Sequence, residues 1–180
     1  MDLIAPPPYR SADYIIRFAT ESWEIEGCRA LRRQVFCREQ GLFGDDDRDA
    51  LDDFAISLVA LSTIAGEPDA VVGTVRIHQA ESGVWWGSRL AVAASHRRIG
   101  TLGPSLIKLA VSSAAARGCV CFHAQVQSQN ELLFRRMNWR NLSQMELHGM
   151  PHLLMQADLA HYPPIADGQT GFHAQARRAA

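Results

Sequence analysis

Between residues 56 and 118 the chain runs through three strand-like segments and a helix with little slack between them, and this order limits the fold more than any other feature. Ile56 to Ile64, Ala70 to Gln79 and Val84 to Ala93 are rich in β-branched and aromatic residues. Glu67-Pro68-Asp69 and Glu81-Ser82-Gly83 separate them as turns. Runs this close fold back on one another, so the pattern predicts an antiparallel meander. A Gly- and Arg-bearing turn, His96 to Gly103, then leads into a helix from about Pro104 to Arg117. Proline is tolerated there because its missing N–H would be unpaired in a first helical turn, and Gly118 is a helix stop. Cys119 to Val126 reads as a buried strand, and a helical crossover makes it parallel to its predecessor.

Around this centre, Tyr14 to Ala19 is a strand and about Trp23 to Gln40 a helix, with Cys28, Leu31 and Val35 on one face. The acidic loop Asp45-Asp46-Asp47, continued by Asp49, Asp52 and Asp53, follows it. Asn130 to Met137 is a short helix, and Leu142 to Leu147 and His152 to Ala157 are closing strands. The order β-α-β-β-β-α-β-α-β-β implies an α/β fold with a mixed, mostly antiparallel sheet and flanking helices. With 180 residues, 47% of them hydrophobic, the chain has material for one core. It is expected to occupy 12–164, between loosely held tails at 1–11 and 165–180.

Eighteen basic and 19 acidic residues leave a formal net charge of -1, which gives no bulk reason to expect nucleic acid or an anionic membrane as partner. No apolar run reaches membrane-spanning length, and the first residues lack the pattern of a secretion signal, so the cytoplasm is the expected compartment. The four cysteines do not form a disulfide framework. Cys119 and Cys121 lack the further ligands a metal would need, and no metal is expected.

The turn after the third meander strand carries the clearest chemistry. A helix N-terminus presents free N–H groups and partial positive charge, glycines let an anion approach the backbone, and Arg97 and Arg98 add charge. A pyrophosphate suits that cradle; an ordinary turn with solvated arginines is the alternative.

Arg89-Leu90-Ala91-Val92 followed by Arg97-Arg98-Ile99-Gly100-Thr101-Leu102-Gly103 resembles the strand and pyrophosphate loop of the GNAT acyltransferases. The family pattern is Arg or Gln, two residues, Gly, one residue, then Gly or Ala. Counted from Arg97, Gly100 fits and Leu102 does not; counted from Arg98, Gly103 fits and Thr101 does not. Leu31-Arg32 to Glu39-Gln40 resembles a helix of the ElaA-like branch, whose acidic loop Asp45 to Asp53 also matches. Asn130 to Trp139 resembles the next GNAT motif. The ending, Gly149 to Leu159 with Tyr162-Pro163-Pro164, is similar to that of the bacterial nitrogen-starvation N-acetyltransferases, which implies a setting in nitrogen metabolism.

The resemblance implies a V-shaped split between the fourth and fifth strands that takes acetyl-CoA or another acyl-CoA. Backbone amides near Leu90, Ala91 and Val92 would polarise the thioester. Arg97, Arg98, Ile99, Gly100, Thr101, Leu102 and Gly103 would hold the pyrophosphate, and Asn130 and Phe134 would touch the cofactor from the next helix. Phe134 stands where the family often has a Tyr acid, and it cannot donate a proton. His123, on the fifth strand, is an alternative acid, since histidine is a side chain suited to proton transfer, or a hydrogen-bonded structural histidine. Cys121 is a nucleophile or a buried thiol. Glu39 is a base for the amine or a partner of Arg32.

Arg32, Arg76 and Arg89 need carboxylate partners, either the Asp45 to Asp53 cluster or a substrate. Of Trp85 and Trp86, one faces the core and the other a pocket or an oligomer interface, since neighbours on a strand point apart; Trp85 is assigned to the substrate. The implied activity is acyl transfer to a small amine or amino-acid-like acceptor, in a monomer or a homodimer. A non-catalytic acyl-CoA sensor and an autoinducer-synthase-like acyltransferase are the alternatives.

Overall fold

The computed structural model describes residues 9–176. Its elements are β1 (Asp13–Phe18), α1 (Ser22–Arg32), β2 (Ile56–Ile64), β3 (Glu67–Glu81), β4 (Val84–Val92), α2 (Leu102–Ala115), β5 (Cys121–Gln127), α3 (Glu131–Arg136), β6 (Trp139–Leu147), β7 (Met150–Ala157) and β8 (Phe172–Gln175). The strands form one sheet in the order β6-β7-β5-β4-β3-β2-β1-β8. β4 and β5 run parallel and every other neighbouring pair antiparallel. The meander and the helical crossover therefore stand as expected.

The core lies between the sheet and α2, where Leu102, Leu106, Leu109 and Val111 pack with Ile16, Leu58, Ile77, Trp85 and Phe122. α1 covers the other face through two smaller clusters, Cys28 on Val59 and Leu61, and Leu31 with Val35 and Phe36 on Ala91. Burial pushes the Cys28 and Cys119 thiols up to about 11, which keeps both protonated and inert.

Two expectations change. The first helix keeps α-winding only to Arg32, and Arg33–Glu39 continues as a π-helix. The wider winding rotates Phe36 and Gln40 to new positions, a distortion found most often beside functional sites. The second change is at the far end. Within the stretch expected to be loose, 165–180, Phe172–Gln175 pairs with β1 as an edge strand, with Tyr14 opposite Ala174. Gly171 makes this possible: it sits at φ +60 and its missing side chain leaves room for the Ile16 carbonyl. At the near end, most of 1–11 lies outside the described residues, but the Ser11 hydroxyl donates to the Thr63 carbonyl at 2.8 Å.

Candidate active site

β4 and β5 pair over four rungs only, from Val84 with Cys121 to Gly87 with Ala124. Beyond that rung both strands continue but separate, which opens the V. The last rung is tight: a Cβ on Gly87 would lie 3.1 Å from the Phe122 ring. On its other edge β4 carries a bulge. Thr74 faces Ala91 and Arg76 faces Ser88, so Arg89 and Leu90 together oppose Val75. Arg89 takes φ +57, a strained conformation for a side chain of its size. Leu90 is left out of both strand registers, so the bulge exposes backbone where the V begins.

One cavity of about 620 Å³ fills the split. On the α2 side it is lined by Leu90, Ile107, Ala110, Val111, Val126 and Phe134. Phe134 is buried and meets Trp139 edge-on, with ring centroids 5.0 Å apart. Asn130 also lines it, from the N-terminus of α3, with no capping hydrogen bond from its side chain.

The loop after β4 leads to a second cavity, of about 580 Å³, bordered by Arg98, Gly100, Thr101, Lys108, His161 and Tyr162. Among the described residues, the amides of Gly100, Thr101 and Gly103 make no backbone hydrogen bond. A Cβ on Gly100 would meet nothing within 4 Å, and on Gly103 only Leu133 at 3.9 Å, so neither glycine is required by the protein's own packing. Bare amides at a helix start, with room outside them, fit an anionic group close to the backbone. The neighbours differ in role. Leu102 is fully buried and Ile99 packs against the core, so their side chains anchor the loop. Arg97 is turned back, with Nε donating to the Val92 carbonyl and its guanidinium paired with Glu39. The Thr101 hydroxyl donates to the Gln175 carbonyl at 3.0 Å and ties the loop to β8. Burial pushes the Tyr162 phenol up to about 12, and its hydroxyl donates to the Met137 carbonyl while accepting from the Trp139 indole.

On the α1 side the same cavity is lined by Phe36, Gln40, Phe43, Trp86, Gln125, Gln127, Leu147, His148 and His152. Beneath it lies the charge cluster. Arg32 donates to Asp47 and, with both terminal nitrogens, to Asp52. Arg76 donates to Ser88 and doubly to Asp49, and also pairs with Asp52 at 2.9 Å. Arg89 donates to Asp47 and Asp49 and lies over the Phe43 ring, 4.5 Å from its centroid. The three arginines thus find internal partners. Hydrogen bonds from Arg76 hold the Asp49 carboxyl below its usual range. Burial works against the Asp52 carboxylate, but the Arg32 hydrogen bonds outweigh it and hold that carboxyl well below the usual range. Arg32 is shifted up by its aspartates against the penalty of burial. Arg89 is shifted down, first by burial and then by the charge of Arg76.

Several sequence assignments move. Trp85 is in the core, 5% exposed, and Trp86 is the cavity wall, because alternation turns the former toward α2. Trp85 therefore does not touch an acceptor. His123 sits on the paired part of β5, against the Trp86 ring at 5.0 Å and within 3.2 Å of Cys121 Sγ, and it is not among the residues lining the cavity. Glu39 pairs with Arg97 rather than with Arg32 and also lies outside the lining.

Sequence reasoning passed over His148 and His152. His148-Gly149 is a two-residue hairpin turn between β6 and β7 with φ of +52 and +73, and it puts the His148 ring 4.6 Å from Phe43. His152 is 7% exposed and its Nδ1 lies 2.9 Å from the Met150 carbonyl. A carbonyl only accepts, so Nδ1 donates in this hydrogen bond. The signal available was the His-Gly turn between two strand-like runs.

Residues 17–135, well over half of the chain, match the acetyltransferase (GNAT) family, and the chain belongs to that family. Solved structures share the fold. A Lactobacillus plantarum protein described as an N-acetyltransferase is 22% identical, with a TM-score of 0.72 over 81% of this chain and 98% of its own. An acyl-CoA N-acyltransferase from Pseudomonas aeruginosa is 18% identical, with a TM-score of 0.62 over 80% and 98%. Escherichia coli ElaA is 15% identical, with a TM-score of 0.61 over 81% and 98%. No curated protein matches the sequence.

Proposed function

We propose that the protein transfers an acyl group, most simply acetyl, from acyl-CoA to the nitrogen of a small amine. The observation that carries this reading is the cavity in the split of the sheet, accompanied by a second cavity along the loop after β4, where unpaired amides suit an anion. In this reading the free amides of Gly100, Thr101 and Gly103, with Arg98 and Lys108, hold the pyrophosphate, while Ile107, Val126 and Phe134 flank the pantetheine arm. The bulged backbone at Leu90 turns a donor toward the thioester oxygen, where charge develops during attack. Arg32, Arg76 and Arg89 hold the bulge and the acidic loop in place and do not clamp the substrate.

The amine must lose a proton as its nitrogen bonds to the acyl carbon and the carbon–sulfur bond breaks. His152 lines the compartment, and in this reading it takes that proton in place of His123 or Glu39. The thiolate then leaves without an acid at Phe134. The ending from Gly149 to Tyr162 supports the narrower affiliation with nitrogen-starvation N-acetyltransferases and a role in nitrogen metabolism. Four free cysteines suit a reducing cytoplasm, and no helix among the described residues is long and apolar enough to cross a membrane.

The test is isotope-labelled acetyl-CoA supplied with a metabolite extract, with mass spectrometry of the products. An acetylated amine that disappears when His152→Ala replaces the parent supports the proposal. Tight CoA binding without turnover of any amine favours the sensor reading, to which Phe134 lends some weight.

A further inference from the structure

We infer that the acceptor is a primary amine on a flat, apolar body that carries no carboxylate, an arylalkylamine rather than an amino acid. This rests on the acyl-transfer reading and gives it a substrate class.

The argument starts from the arginines. Three cations, Arg32, Arg76 and Arg89, face three anions, Asp47, Asp49 and Asp52, so the cluster under the compartment is close to neutral. Every guanidinium nitrogen of Arg32 and Arg76 already donates to a protein oxygen. Arg89 commits Nε and one terminal nitrogen to Asp47 and Asp49 and presses its plane on Phe43. Arg48, at the rim, is half-exposed and faces Asp53. A substrate carboxylate entering here would lose its water and would have to compete with aspartates for guanidinium groups that are already paired, apart from one terminal nitrogen of Arg89, which is a net cost.

The remaining walls favour the opposite chemistry. Trp86 and Phe36 present aromatic surface, Leu147 lines the hairpin side, and Phe43, in contact with the Arg89 guanidinium and the His148 ring, makes a roof. The roof costs strain, because His148 sits at φ +52, where an ordinary side chain is disfavoured. Aromatic and apolar walls around one space suit a planar ring. The nitrogen of such a guest would point at His152, which lines the same cavity.

The experiment is calorimetric titration of the protein saturated with CoA, using 2-phenylethylamine and phenylalanine as the two probes. The amine should bind at least about tenfold more tightly than the amino acid. Equal or tighter binding of phenylalanine overturns the inference, and so does absence of binding by both. Trp86→Ala should abolish the preference while leaving CoA affinity and the thermal midpoint near their parent values. Should Trp86→Ala fold poorly, Leu147→Ala takes its place, and an unchanged preference in a folded variant counts against the proposal. Failure of the acyl-transfer reading is separate: it is loss of acetyl-CoA binding or of turnover, whatever the two probes do.

Discussion

The two sides of the split sheet solve opposite problems. On the α2 side, the loop from Arg97 to Gly103 offers backbone: the amides of Gly100, Thr101 and Gly103 are free, its glycines have space around them, and Leu102 and Ile99 anchor it through buried or core-packed side chains. On the α1 side, charged side chains are numerous, but they bind each other. The comparison teaches that charge density is a poor guide to where a ligand sits. Six charged groups on the α1 side hold the strained bulge at Arg89, and the groups left open on the α2 side are mostly uncharged peptide units.

The sharpest way to break this contrast is Arg76→Ala. It strips Asp49 and Asp52 of a shared partner whose side chain is 2% exposed. Removing one member of a buried pair costs about 3 kcal/mol or more, so the urea unfolding midpoint should fall steeply. A variant as stable as the parent would mean the cluster is not the scaffold described above.

Gly103→Val should do the reverse. With nothing nearer than Leu133 at 3.9 Å, stability should change by no more than the helix propensity difference, under roughly 1 kcal/mol. Acetyl-CoA affinity measured by calorimetry should nevertheless fall about tenfold, equivalent to about 1.4 kcal/mol. Unchanged affinity would remove this amide from the anion cradle.

Between the two arginines of the loop, Arg98→Ala should weaken acetyl-CoA binding by about fivefold and reduce its salt dependence. Arg97→Ala should do less, because Arg97 is already engaged by Glu39 and the Val92 carbonyl. The opposite ranking would put the pyrophosphate on the β4 side of the loop.

Acid provides a graded test. The Asp49 and Asp52 carboxyls are shifted below their ordinary values in the folded protein. The stability they contribute is therefore fully present above the unfolded pKa, about 4, and is lost as pH falls through the lower folded values. Urea midpoints should be flat from pH 7 to 5 and drop below pH 4, and Asp52→Asn should lessen the drop. The smallest effect belongs to His123→Ala, which should change turnover by less than about twofold because the ring lies outside the cavity lining; a large loss would restore it to the mechanism.

The order of the elements could be read from the sequence because each strand had its own apolar run and its own turn. The charge cluster was legible for a similar reason: arginines inside apolar strands at positions 76 and 89 demand carboxylates, and a run of aspartates stood nearby. Which tryptophan faced inward was not legible, since alternation gives two faces and only packing on α2 names the inner one. β8 was hidden because four residues flanked by Gly and Gln have little strand character until β1 offers a partner. The π-winding of Arg33–Glu39 left no trace in the residue pattern, and it changes which residues of that segment reach the cavity. His152 could not be assigned because its place in the cavity wall depends on the register of β7 against β5, where it stands opposite Gln127.

The four rungs that join β4 to β5 also act as a seam. β5, β7 and β6 form one plate, and β4, β3, β2, β1 and β8 the other, with α2 behind them; in front, the Gln127 side-chain amide donates to the Gln40 side-chain oxygen at 2.9 Å and the His148 ring meets Phe43. A sheet joined so narrowly should breathe along that line. Amides of the smaller plate should exchange with solvent as one unit, and faster than those of β2 and β3. A molecule lying in the split would touch both plates at once, so its first detectable effect should be slower exchange in strands that it never contacts.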